Sequence, residues 1–362
     1  RVSHSDWSTA IPVAAIPVPS WNTPTSQIDA VSGTTITSTF SANGADSYGL
    51  NTSKMNCDTV GAWSQAPTIG SLTGLLTGIP TTAPRSCTIT LTATNISGSS
   101  EHTVHVSIWA DPGDICDTDD GTVCIISTAK TLPDGSYFYY GGDISVTGTG
   151  SLLTSADTSA QIEASGDFTV QTSGSVHANL SKLRARNITI AAGATVSASG
   201  LSGFSTGLYD GSDSGQGAPH GGAGGDDASA VGSDPYGTAQ QPLSFGAQGE
   251  SGTSAGGLGG GLLRLLASDT ITVDGTVSAD GAPGTAGVPF GGGGGSGGSI
   301  WLIAPTLVGG GALSATGGNG GDAAFGSNGG GGAGGRVAYH TDNNNFSGTL
   351  TVAAGLTGSG GG

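Results

Sequence analysis

The sequence predicts an all-β protein, an N-terminal Ig-like β-sandwich followed by a parallel β-helix (solenoid) with long Gly-rich loops on one edge. Three observations lead there. Gly supplies 69 of the 362 residues, Thr, Ser, Val and Ile are abundant, and charged residues make up only 10%. Apolar and polar residues alternate through much of the first 110 positions, the period of a half-buried strand. After Cys124 one short unit, a strand, a Gly turn and a second strand, keeps returning.

The composition excludes as much as it suggests. Interior Gly costs a helix about 1 kcal/mol per position, and β-branched residues favour a pleated surface. With 26 acids against 9 bases the net charge is −17, which repels nucleic acid and anionic headgroups. No apolar run approaches the roughly 20 residues of a membrane span. The chain starts at Arg1 without a Met or a leader, as a processed, exported protein or a trimmed one would. An extracellular or cell-surface location is therefore expected.

Residues 1–25 read as an extended strap or linker. The apolar segment from Ala10 to Pro19 carries Pro12, Pro17 and Pro19. Each Pro removes a ladder donor, so an extended or edge conformation is expected. Ile11, Val13, Ile16, Val18 and Trp21 are candidates to lie on a neighbouring subunit.

Residues 26–110 read as the sandwich, with alternation clearest at 34–40, 87–94 and 102–109. Asn95 to Ser100 has the composition of a hairpin turn. The run from Leu76 through Pro84, the strand Ile89–Asn95, Gly98 and the strand Thr103–Ile108 together resemble the Ig or cadherin-like modules of bacterial and archaeal surface proteins. That resemblance covers about 80 residues and implies a spacer or weakly adhesive unit with no active site.

Four cysteines, Cys57, Cys87, Cys116 and Cys124, sit in the first third of the chain. Two local disulfides, Cys57–Cys87 and Cys116–Cys124, fit an exported protein, and four buried thiols are the other reading. Residues 111–124 form an acidic junction. Asp111, Asp114, Asp117, Asp119 and Asp120 are candidate Ca²⁺ ligands, although the spacing departs from an EF-hand and a solvated acidic turn is the plainer reading. Five N-x-S/T sequons, at Asn51, Asn95, Asn179, Asn187 and Asn345, are weak evidence in so Ser- and Thr-rich a chain.

Residues 125–362 carry the repeat. Ile188–Gly200 and Ile271–Gly281 match in both strands and differ by two residues in the turn between them, with looser copies at Leu307–Gly317, Phe346–Gly355, Phe168–Ala178 and Ile144–Leu152. Each copy has only two or three inward apolar side chains, so one copy buries nothing alone and a stack buries a continuous core. Two facing antiparallel sheets are the runner-up, but a sandwich does not reward likeness at matching positions. Gly-rich inserts at about 201–260, 282–298 and 318–335 follow the same point of the repeat, and each ends in two or more Gly before a new strand, in the segments Gly259–Leu266, Gly297–Ile303 and Gly334–His340. They are expected to project from one edge, either as hydrogen-bonded polyproline II-like segments or clamped by neighbouring copies. The segments from Gly297 to Thr306, Leu313 to Gly321 and Gly334 to His340 resemble glycine-looped β-helix regions of large surface proteins from uncultivated bacteria and archaea. The resemblance implies a surface role and carries no enzymatic residue.

Catalytic chemistry is not indicated. Glu101, Glu163 and Glu250 lack acidic partners in the repeat. Asp274 and Asp280 have no counterparts in the other copies, and the six His are scattered. Arg184, Arg186, Arg264 and Arg336 read as rung-edge ion pairs or loop clamps. The stretches Gly221–Asp226 and Gly317–Asp322 fit a calcium nonapeptide but lack the tandem repetition such sites need. No cofactor is expected, Ca²⁺ excepted. The leading expectation is a subunit of a surface filament or layer that self-assembles as a head-to-tail homopolymer. The second is an adhesin binding surface glycans through Tyr209, Tyr236, Phe290 and Phe325 on the loop edge, with Phe245 beside them. The third is a polysaccharide lyase or hydrolase.

Overall fold

A computed structural model of the chain describes residues 17–22, 27–31, 33–56, 63–80, 85–109, 115–132, 135–205, 215–225 and 234–359. Strands dominate, as the composition requires. The chain divides into two compact units at Ile108–Trp109.

The first unit has a four-stranded and a three-stranded antiparallel sheet. Its longest strands, Arg85–Asn95 and Gly98–Trp109, are hairpin neighbours. Alternate residues Ile89, Leu91, Ala93, Val104, Val106 and Ile108 are buried, the expected one-faced pattern. Ser20–Trp21 pairs with Ala42–Asn43. The end of the predicted strap is thus part of this unit.

The second unit is a parallel β-solenoid. From Val123 onward every third strand joins the same sheet, giving sheets of eight, seven and six strands that are parallel throughout except for the first strand of the eight. The register stacks like on like. In the eight-stranded sheet Ile144, Phe168, Ile188, Ile271 and Leu307 form one interior column. In the seven-stranded sheet Leu152, Val176, Val196, Val277 and Leu313 form another. Ile162, Leu183, Leu265 and Leu302 line the six-stranded sheet. All belong to one buried cluster, each rung covering the apolar interior of the next.

The start of the stack is closed. Thr118–Asp119 pairs antiparallel with the first rung strand, Val123–Ile126. The Cys116–Cys124 disulfide and the side chain of Ile115 belong to the same core. The second half of the predicted junction is therefore the cap of the solenoid.

The glycine inserts leave where the sequence places them. Each runs from a strand of the seven-stranded sheet (Thr195–Ser197, Thr276–Ser278 or Ala312–Ser314) to the next strand of the six-stranded sheet (Leu262–Ala267, Ser299–Ile303 or Arg336–His340).

Candidate functional site: a glycine lattice and the faces around it

The inserts are ordered by hydrogen bonds that repeat every three residues. Along residues 291–298 successive N–H groups address three neighbours in turn. Gly291, Gly294 and Gly297 donate to the carbonyls of Ser327, Gly330 and Ala333; Gly292, Gly295 and Gly298 to Thr285, Ala282 and Ala279; Gly293 and Ser296 to Glu250 and Ala247. The first set runs parallel and the other two antiparallel. A three-residue period with no internal hydrogen bonds is the repeat of a polyproline II helix. Residues 315–321 follow the same rule: Gly317 and Gly320 donate to Ala353 and Leu356, Gly318 and Gly321 to Gly295 and Gly292. The inserts thus pack as outgoing, returning and covering layers, the last supplied by the longest insert around Gly215–Ala218 and Gly246–Glu250. Of the two ways to hold the loops, the chain uses hydrogen bonds between its own segments.

Glycine is required by approach distance. A Cβ on Gly294 would overlap the Gly318 carbonyl oxygen, and one on Gly331 the Gly355 carbonyl. Where an outer N–H has no neighbouring segment, a side chain of the preceding rung accepts it. Asp280 takes the Thr316 N–H at 2.6 Å, Asn319 the Leu356 N–H at 2.9 Å and Asp322 the Ser359 N–H at 2.5 Å.

Two buried side chains tie this lattice to the solenoid. Asn179 donates to the Thr158 and Leu201 carbonyls at 3.0 Å each and accepts the Leu262 N–H at 3.1 Å, joining both roots of the longest insert to the stack. His220 donates from Nδ1 to the Gly297 carbonyl at 2.7 Å and packs 4.8 Å from the Tyr236 ring, with its Nε2 buried and unpartnered. Burial pushes its pKa down to about 4, with the Gly297 bond opposing and the Arg336 charge assisting. The sequence reading missed both residues. Asn179 stood out only as a sequon, and no pattern marks His220.

The acidic junction serves the cap. Asp117 accepts the Ser127 and Thr128 N–H groups at 2.7 Å each and pairs with Lys130 at 2.8 Å. These donors hold its carboxyl well below the usual carboxylate range, the Lys130 bond first among them. Asp119 accepts the Tyr140 hydroxyl, and burial together with that bond raises the phenol to about 12. Asp120 accepts the Thr122 and Val123 N–H groups. Asp111 and Asp114 lie outside the described residues. Among the described residues no three His, Cys, Asp or Glu side chains gather as a metal site.

The remaining expected residues fall as follows. Cys116 and Cys124 form a disulfide. Cys87 is buried and disulfide-bonded, and Cys57 lies outside the described residues, as do Ile11, Val13, Ile16 and Tyr209. Val18 is exposed, whereas Trp21 packs against Tyr48 and His102, 5.9 and 5.4 Å between ring centres. The Tyr236 hydroxyl donates to the Phe245 carbonyl at 2.6 Å, pinning the insert. The Phe290 backbone is held by Thr253. Phe325 is 74% exposed and Val288 66%, each at the turn of its insert. Four sequon amides already donate within the fold, from Asn51, Asn95, Asn179 and Asn187. Asn345 is exposed.

Of the four solenoid arginines expected at rung edges, Arg184 pairs with Glu163 at 3.1 Å and Arg186 with Asp167 at 2.9 Å. Arg336 donates to the Tyr236 and His220 carbonyls at 2.7 and 3.2 Å, clamping the longest insert. Arg264 does neither. Its guanidinium lies over the Trp301 ring, 4.7 Å from the centre.

The last described rung differs from the first. The last described strands of the three sheets, Arg336–His340, Asn343–Phe346 and Thr349–Thr351, each have a partner on one side only. Leu350, in the interior column below Leu313, is 46% exposed. Asn344 occupies the interior position filled by Ile271 and Leu307 in the rungs before it. No helix among the described residues is long and apolar enough to cross a membrane.

No family model matches this chain, and neither do curated proteins nor solved structures.

Proposed function

We propose that the chain is a structural building block of an extracellular surface filament or layer, in which an Ig-like spacer precedes a β-helix that associates with further copies of itself. One observation carries this reading. The last described rung presents unpaired strands in three sheets at once, with Leu350, Phe346 and Tyr339 at their interior positions. Unpaired, partly apolar strand edges are templates for addition of another chain, and a second copy covers them. The Cys116–Cys124 disulfide supports an oxidising compartment. The acids of the solenoid act as structural acceptors, which favours building over catalysis.

Sedimentation velocity and negative-stain imaging of the full chain test this. Assemblies are expected at micromolar concentration, and Leu350→Lys, which places a charge on the edge, is expected to dissolve them. A wild-type chain that stays monomeric at tens of micromolar overturns the reading. The second reading, an adhesin, is favoured by Phe325 and Val288, which place exposed apolar groups at the insert turns. It requires Phe325→Ala to reduce retention on a glycan array while assembly is unchanged.

A further inference from the structure

The three faces of the solenoid are chemically unequal. Outward positions of the eight-stranded sheet carry Thr169, Thr189 and Thr272 in register, and those of the seven-stranded sheet carry Ser175, Thr195 and Thr276. The outward columns of the six-stranded sheet hold Tyr139, Lys182, Arg184, Arg264, Trp301 and His340 instead. Four of the nine Lys and Arg residues of a chain with net charge −17, Lys182, Arg184, Arg264 and the insert clamp Arg336, therefore share one sheet face, where Glu163 is the single outward carboxylate.

Glu163 satisfies Lys182 at 2.6 Å and Arg184 at 3.1 Å. Arg264 is left over. It is half-buried on Trp301, no carboxylate pairs with it among the described residues, and its Nε and the Trp301 Nε1 are both buried without an acceptor. Burying the Nε without an acceptor is costly, and the terminal nitrogens of a guanidinium that no carboxylate pairs are free to make charge-assisted bonds to an anionic ligand. The exposed His340 packs edge to face 5.7 Å from the buried Trp301 ring, and the half-exposed Tyr139 lies on the same face. Such amphipathic rings suit the apolar faces of sugars.

We propose that the outer face of the six-stranded sheet binds an acidic polysaccharide, with Arg264 as its anchoring cation. A linear polymer lying along the stack meets a new strand about every 4.8 Å, so its acidic sugars address Arg184 and Arg264 in succession while uncharged ring faces rest on the exposed Tyr139 and His340. Asp167, Asp269 and Asp342, in the turns leading into the eight-stranded sheet, and Asp143, the first residue of its strand there, confine the positive field to the face. That confinement favours a sparsely charged polymer over nucleic acid, which carries one charge per 3.4 Å of each strand.

The test uses the full chain at low ionic strength with alginate as a polyuronate, dextran sulfate as a sulfate ester, uncharged dextran and a single-stranded oligonucleotide. Binding to either anionic glycan and not to dextran is expected, the tighter of the two naming the anionic group. Arg264→Gln is expected to weaken it at least tenfold, Arg264→Lys less, and Arg186→Gln not at all, because Arg186 is off the face and held by Asp167. Thermal melts of the variants check that each is folded. Equal affinity for dextran, tighter binding of the oligonucleotide, an unaffected Arg264→Gln variant or no binding at all overturns the proposal. Arg264 lies two strands before the last described strand of its sheet, and Leu350 belongs to a different sheet, so Leu350→Lys leaves the Arg264-dependent affinity unchanged whether or not the chain self-associates.

Discussion

His220 is a neutral imidazole that the fold cannot charge without loss. Its Nδ1–H is committed to the Gly297 carbonyl, its Nε2 faces no acceptor, and Arg336 is nearby. With a pKa of about 4 in the folded chain and about 6.5 in the unfolded one, the folded state holds fewer protons between those values. Stability is therefore complete above pH 6.5 and falls as pH drops toward 4, by up to about 3 kcal/mol. The perturbed carboxylates, Glu163 and Asp167 among them, are lowered, so their contribution is lost only as pH falls below about 4. Melting temperature measured from pH 7.5 to 4.5 is expected to decline in the wild type and to be nearly flat in His220→Gln; equal slopes would remove His220 as the cause. Asn179 makes the matching case without charge. Asn179→Ala strands one N–H and two carbonyls inside the protein, each costing about 1–3 kcal/mol, and denaturant unfolding is expected to register a loss of roughly 3 kcal/mol or more. Neither residue could be ranked from sequence, because burial is created by segments far away in the chain, as with Gly261, which packs against the Asn179 amide.

At the scale of elements, the repeat was the readable part. The copies at Ile188–Gly200 and Ile271–Gly281 are pairs of strands in the eight- and seven-stranded sheets, and their matching residues are in register. Likeness at fixed positions was readable because stacking selects for it. The third strand of the early rungs was not, since Ser136–Tyr140 and Ala160–Ala164 share little sequence with Leu262–Ala267 and are held by pairing. The common root of the inserts was legible from the Gly pairs that precede each strand. Their three-residue hydrogen-bond period was not, because Gly runs look alike in every register. Two glycines expose the difference. Gly294→Ala drives a Cβ into the Gly318 carbonyl, whereas a Cβ on Gly222 meets nothing within 4 Å. Gly294→Ala is expected to destabilise the fold by more than 2 kcal/mol, as overpacking does, and Gly222→Ala to be neutral or to stabilise by up to about 1 kcal/mol through the unfolded chain. Paired chemical denaturation of the two variants decides it, and equal effects would mean the layers yield.

Across the whole molecule, two kinds of order share one stack. The solenoid buries apolar side chains, and the lattice has almost none to bury, so backbone hydrogen bonds and close packing of glycine must hold it. Glycine loses more conformational entropy on ordering than any other residue, and a free glycine loop would exchange its amide protons at nearly the unfolded rate. Here the lattice amides are enclosed: Gly291 to Ser299 is a buried run, with every N–H from Gly291 to Gly298 donating to another segment. Native-state hydrogen exchange is therefore expected to protect residues 291–298 and 329–333 about as strongly as the strand Leu262–Ala267, although neither segment forms a β-ladder. Turn residues such as Val288 and Phe325 are expected to exchange freely. The segment 353–358 tests the other half of the argument. It accepts lattice bonds from Gly317 and Gly320 but is mostly exposed on its far side, so its protection should be weak in the isolated chain and should rise on assembly if a second copy covers the end of the stack. Uniformly fast exchange through the inserts would mean that the glycine layers are not a cooperative part of the fold, and rigidity would then belong to the solenoid alone.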